Sequence, residues 1–172
     1  MMKVLTDIPG FERRQLHCIC SNDDLSKILF AGKLIGELRS KYGTSVAYFS
    51  TRSTSEAIED LQGQYDNPVG KLYATDLENN DCMDLCRKIQ EMVNQRFVRA
   101  VVIDCLEGLD LKEFDGGVRA RRDEIKTKLY MTAAACNIPI LLFCPRSRSH
   151  KDKTEEYDAF MAEVLPQLRK DL

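Results

Sequence analysis

A chain of 172 residues that is 44% hydrophobic and 30% charged, with a net charge of −2, has the make-up of one soluble domain with a substantial core. That balance gives no global cationic pull toward nucleic acid and no acidic tail, so any nucleic-acid contact has to be local. No run approaches the roughly 18 apolar residues of a membrane span, and the opening Met1-Met2-Lys3-Val4-Leu5-Thr6-Asp7 lacks a signal-peptide core, which excludes membrane and secreted classes and leaves a cytoplasmic domain with reduced thiols.

In chain order, Leu16 to Cys20 reads as a short apolar strand in which Cys18 and Cys20 serve as small buried hydrophobes. The segment from Leu25 to Lys41 is a helix with Leu29, Leu34, Ile35 and Leu38 as its apolar stripe, ended by Gly43. Before it, "SNDDLSK" reads as a helix start, with Asn22 or Asp23 as N-cap and acids in the first turn, where the helix dipole favours them. A second strand covers Ser45 to Ser50, and Ser53 or Thr54 caps the helix through Glu56, Ala57, Ile58 and Leu61. Gly63 to Gly70 is a loop, and Lys71 to Ala74 a weak strand.

Asp81 to Arg96 is a helix with Met83, Cys86, Ile89 and Val93 as its stripe. Ala100 to Cys105 is the strongest strand, apolar on both faces as a central parallel strand requires. A loop from Glu107 to Gly117 leads to a long helix, Val118 to Cys136, with Asn137 as C-cap. Ile138 to Cys144 is the last strand, followed by a polar tip and a closing amphipathic helix from Thr154 to Arg169, within residues 152–170. Strands alternating with helices predict an α/β fold, three-layer α/β/α, with a mainly parallel sheet of about five strands in a single domain over residues 1–172.

The cysteine spacings Cys18-x-Cys20 and Cys82-x3-Cys86 match no metal signature, and only two histidines are present, so no metal site is expected. Asp104 ends the most apolar strand, at the sheet edge where ligands of α/β proteins collect. "AVVIDCLEGL" has the form of a Walker B strand; an aspartate that only opens the following turn reads equally well.

Several co-linear segments together carry a more specific signal. "IPGFERRQLHCICSNDDLSKILFA", "GTSVAYFSTRSTSEAI", "RAVVIDCLEGLDL" and "RRDEIKTKLYMTAAACNIPILLFCPRSRS" resemble, in order and spacing, the RecA-like ATPase core of DnaB-type replicative helicases, a P-loop NTPase fold, over about residues 8–149. The resemblance implies a Walker A loop at Ser21 to Ile28, yet of the G-x-x-x-x-G-K-[ST] pattern only Lys27 survives. Ser21 and Ser26 replace the glycines that let backbone amides wrap phosphates, and Ile28 replaces the hydroxyl that binds magnesium. Asp23 and Asp24 add negative charge beside the implied polyphosphate.

The position of the family's catalytic glutamate is Arg52, which cannot take a proton from water, and that of its γ-phosphate-sensing glutamine is Pro145. Asp104 keeps the Walker B place without its hydroxyl co-ligand. The family's later strands, its DNA-binding loops and its N-terminal assembly domain have no counterpart in this sequence. The implied protein is a degenerate, truncated, catalytically inactive DnaB-like RecA-fold module linked to DNA replication or mobile-element DNA processing, with no cofactor expected and ATP/Mg only if the remnant site still binds.

Two basic clusters, Arg119/Arg121/Arg122 and Arg146/Arg148/Lys151, lie where they could hold an anion or a nucleic-acid backbone, against the plainer reading as solvated surface. The alternatives are a nucleotide- or phosphate-ligand-binding protein using Lys27, Asp104 and Arg52 in a non-standard pose, and a DNA-associated helicase accessory subunit. A protein partner or self-association is the expected binding mode, with no membrane.

Overall fold

The computed structural model describes residues 13–21 and 23–145. The expected closing helix and the basic tip at Arg146, Arg148 and Lys151 lie outside these residues, as does Asn22. Five strands, β1 (Leu16–Cys20), β2 (Val46–Ser50), β3 (Leu72–Asp76), β4 (Ala100–Ile103) and β5 (Ile140–Cys144), form one sheet in the order β1-β5-β4-β2-β3. Every pairing in it is parallel. The helices are α1 (Asp24–Lys41), α2 (Ser55–Gln62), α3 (Cys82–Arg96) and α4 (Val118–Cys136).

Two apolar clusters hold the three layers. On one face, Phe30, Leu34, Ile35 and Leu38 of α1 and Ile58 of α2 pack on Val46, Tyr48, Val102, Leu141 and Phe143. On the other, Leu85, Ile89 and Val93 of α3 and Ile125, Leu129 and Ala133 of α4 pack on Phe49, Val101, Ile103, Ile140 and Leu142. Consecutive residues of β2, β4 and β5 therefore enter opposite cores, which is why these strands are apolar throughout. Glycines inside α1 serve the contact with α2 and its outgoing loop: a Cβ at Gly32 would press on Leu61, and one at Gly36 would enter the Tyr65 ring.

Several expectations need correction. Leu29 is 51% exposed; it lies five residues before Leu34, about 140° round the helix, and Phe30 and Ala31 take the buried arc instead. Met83 likewise faces solvent, while Cys82 and Leu85 join Cys86 in the core. Cys18 is exposed and Cys20 only half-buried, because β1 is an edge strand of the described sheet. β3 runs on to Asp76, since Thr75 and Asp76 continue in register with Phe49 and Ser50 of β2. β4 ends at Ile103 and β5 begins at Ile140, so Asp104 and Cys105 follow the one strand and Ile138 and Pro139 precede the other.

The long β4–α4 loop is pinned early. Cys82 N–H donates to the Asp110 carbonyl at 2.8 Å, and Asp110 N–H donates to the Asn80 carbonyl at 2.8 Å. The loop is thereby tied to the start of α3. All strands run the same way, so the starts of α1 and α4, the β2–α2 turn and Asp104 gather at the carboxyl edge of the sheet.

Candidate functional site at the carboxyl edge of the sheet

The start of α1 is built by Asp23. Its carboxylate accepts from Leu25 N–H at 3.2 Å and Ser26 N–H at 3.3 Å, and also from the Ser26 hydroxyl. Asp23 N–H in turn donates to Ser21 Oγ at 3.2 Å. Ser21 and Ser26, at the positions the resemblance assigns to phosphate-wrapping glycines, thus take part in a helix cap. The Ser26 hydroxyl above all, opposed by desolvation and aided by the Leu25 and Ser26 amides and the Lys27 charge, holds the Asp23 carboxyl below its ordinary value.

One turn on, Lys27 is buried, 8% exposed, and its Nζ donates to Asp24 Oδ1 at 3.2 Å. The same carboxylate accepts from Arg52 Nη1 with both oxygens at 3.1 Å. Arg52 comes from the β2–α2 turn, and its Nη2 lies 3.9 Å from Glu107 of the β4–α4 loop. Glu107 also pairs with Arg122 of α4 at 2.8 Å. The result is an alternating string of charge, Lys27, Asp24, Arg52, Glu107 and Arg122, along the edge.

Beneath this string Asp104 is buried in a collar of hydroxyls. Ser50 Oγ donates to Oδ2 at 2.6 Å and Thr54 Oγ1 to Oδ2 at 3.3 Å. Thr51 N–H and Thr51 Oγ1 donate to Oδ1 at 2.9 and 3.0 Å. Tyr48 OH lies 2.8 Å from Thr54 Oγ1, and burial pushes the Tyr48 phenol well above its ordinary value. Thr54 occupies the N-cap position of α2 but its hydroxyl serves this network; Ser55 N–H instead donates to Asp76 Oδ1 at 3.1 Å. Neither expected residue, Ser53 or Thr54, caps α2 by its side chain.

A cavity of about 250 Å³ lies between these groups, lined by Asp24, Lys27, Ile28, Tyr48, Arg52, Thr54, Asp104 and Phe143. The fold brings Lys27, Ile28, Arg52 and Asp104 to this one cavity, while Ser21 and Ser26 are not in its lining. Pro145 directly follows β5, and Phe143 forms that wall of the cavity. Arg119, Arg121 and Arg122 sit at the start of α4, beyond Glu107. Arg121 Nη1 donates to Asp110 Oδ1 at 3.2 Å, and Arg119 is exposed. Sequence reasoning missed Asp24 as a ligand of both cations and missed the collar of Ser50, Thr51 and Thr54. The dense hydroxyls of "STRST" after an apolar strand were the available signal for the collar.

No protein-family model and no curated protein matches this sequence. Among solved structures, the fold is similar to that of a DnaB-like replicative helicase, described with its interactions with primase, at a TM-score of 0.65 and 16% identity over 84% of this chain. The similarity spans only 42% of that helicase chain. The chain thus has the α/β, RecA-like architecture of that neighbour, with a five-stranded parallel sheet. No described helix is long and apolar enough to cross a membrane.

Proposed function

We propose that this chain is a RecA-fold protein that does not hydrolyse ATP and acts by binding, as a degenerate DnaB-like module in DNA replication or mobile-element DNA processing inside the cell, folded as a single domain. The observation that carries this reading is Asp24, whose carboxylate sits between Lys27 and Arg52 where an incoming phosphate would need both cations.

Magnesium nucleotide suits the residues poorly. Asp104 has both oxygens engaged by donors from the β2–α2 turn, and Ile28 offers no oxygen ligand beside it. The amides at the start of α1 that would face a phosphate are engaged by the Asp23 side chain. No step of nucleotide chemistry is therefore assigned to any residue. A role in which the basic start of α4 grips DNA is the weaker reading, because Arg121 and Arg122 already pair with Asp110 and Glu107.

The test is ATP turnover by the full chain, with and without single-stranded DNA, beside a Lys27→Ala variant. Both proteins are expected at the buffer background. A turnover in the parent chain that Lys27→Ala abolishes overturns the proposal.

A further inference from the structure

We infer that the cavity beside Lys27 is a binding site for a compact organic anion with an apolar body, such as an aryl carboxylate or aryl phosphate, rather than for a nucleotide. This rests on the reading of the site as non-hydrolytic and names what it holds instead.

The first argument is the state of Lys27. An ammonium can donate three hydrogen bonds. Lys27 is buried, and among the described residues its Nζ bonds to Asp24 alone. A buried cation with donors to spare is costly unless an acceptor meets it. Arg52 adds a guanidinium with further donors at the same rim; its contact with Glu107 is long, at 3.9 Å. Both cations thus keep donors beyond those that Asp24 and Glu107 accept.

Second, the rest of the lining is wrong for a polyphosphate and right for a hydrocarbon. Ile28, Tyr48 and Phe143 form apolar wall, with Tyr48 and Phe143 fixed in the core. Half-buried Ile28 carries the accessible part of that wall, and Tyr48, whose hydroxyl is engaged by Thr54, backs it from the core. Asp104 does not present a bare carboxylate to a ligand, since its oxygens are clothed by Ser50, Thr51 and Thr54.

Third, size is compatible. The cavity, about 250 Å³, is close to the lower end of the roughly 300–1,000 Å³ of ordinary ligand pockets. One anionic head at Lys27 and Arg52 and one ring against Ile28, Tyr48 and Phe143 match both the volume and the split of polarity. Asp24 then acts as a tethered competitor, an internal anion that a ligand head must displace or share.

Isothermal titration of the full chain with benzoate, phenyl phosphate, acetate, inorganic phosphate and ATP tests this, with amide chemical shifts recorded to place the ligand. The ring-bearing anions are expected to bind more tightly than acetate and inorganic phosphate, and to shift the amides around Lys27, Tyr48 and Phe143. Benzoate against phenyl phosphate decides which head the site prefers. Lys27→Met, which keeps the buried stem and removes the charge, weakens binding about tenfold or more, and so does Arg52→Gln, an exposed position that leaves the core untouched. Asp24→Asn strengthens binding several-fold by removing the competing charge. The inference is overturned if no ring-bearing anion binds, if the bare heads bind as tightly, if ATP binds more tightly than either aryl probe, or if binding ignores Lys27→Met and Arg52→Gln. Absence of binding leaves the non-hydrolytic reading standing, whereas ATP turnover removes that reading whatever the titration shows.

Discussion

Two helix starts sit at the same sheet edge and are built in opposite ways. α1 begins on an acid: Asp23 caps it, Asp24 follows in the first turn, and the charge agrees with the helix dipole. α4 begins on Gly117 with no side-chain cap and no acid in its first turn, and Arg119, Arg121 and Arg122 follow. Those cations oppose the dipole, and for Arg121 and Arg122 compensation comes from outside the helix, from Asp110 and Glu107 of the preceding loop. Acids serve both starts, Asp23 and Asp24 from within α1 and Asp110 and Glu107 from the loop that precedes α4.

The comparison can be broken most severely at Asp104, which anchors the turn that delivers Arg52 to Asp24. Asp104→Ala leaves the buried Ser50 hydroxyl and the Thr51 amide without their acceptor. A loss of roughly 2–4 kcal/mol is expected in chemical denaturation. Asp104→Asn, which keeps one acceptor, should cost less; equal losses would show that the collar does not hold the turn.

It can be sharpened by giving α4 the cap it lacks. Gly117 has φ −62° and ψ 166°, an extended conformation open to any residue, and a Cβ there would meet nothing within 4 Å. Gly117→Asp should stabilise the protein by about 0.5–1 kcal/mol, by capping and by facing the three arginines. A neutral or destabilising result would mean the external acids already compensate that helix end in full.

The smallest effect concerns the α1 cap. Asp23 is held below its ordinary value of 3.8 in the folded protein. The stability from its charge is therefore present above that pH and lost as pH falls through the folded value. Asn is an equally good cap without the charge. The stability difference between the parent and Asp23→Asn should thus be constant near neutrality and vanish in acid. A difference that persists or grows at low pH would contradict the placement of that carboxylate.

The layers and order of elements were legible in the sequence because β2, β4 and β5 face a core on both sides and so read as unbroken apolar runs. What misled was rotation and register. Leu29 and Met83 look like stripe residues, but which arc of a helix is buried depends on where the sheet lies. Cys18 looks interior until the strand order makes β1 an edge. At the site, Lys27, Ile28, Arg52 and Asp104 were legible as a set through the resemblance and do line one cavity. The pairing of Asp24 with Arg52 was not, because it joins the first turn of α1 to a turn after the next strand, and only the folded chain sets that distance.

The strand order has a temporal consequence. Among the described strands β1 is made first and its partner in the sheet, β5, last, with Cys20 in register with Cys144. At synthesis rates of about 5–20 residues per second, β1 waits roughly 6–24 seconds for that partner. Phe30 of α1, which meets Phe143 edge-on, waits as long. Pairing between such distant segments carries the entropy of closing the intervening chain, a cost that assembly of the elements between them lowers. The cavity beside Lys27, walled by Phe143 of β5, is therefore complete only once that last described strand has been made and docked.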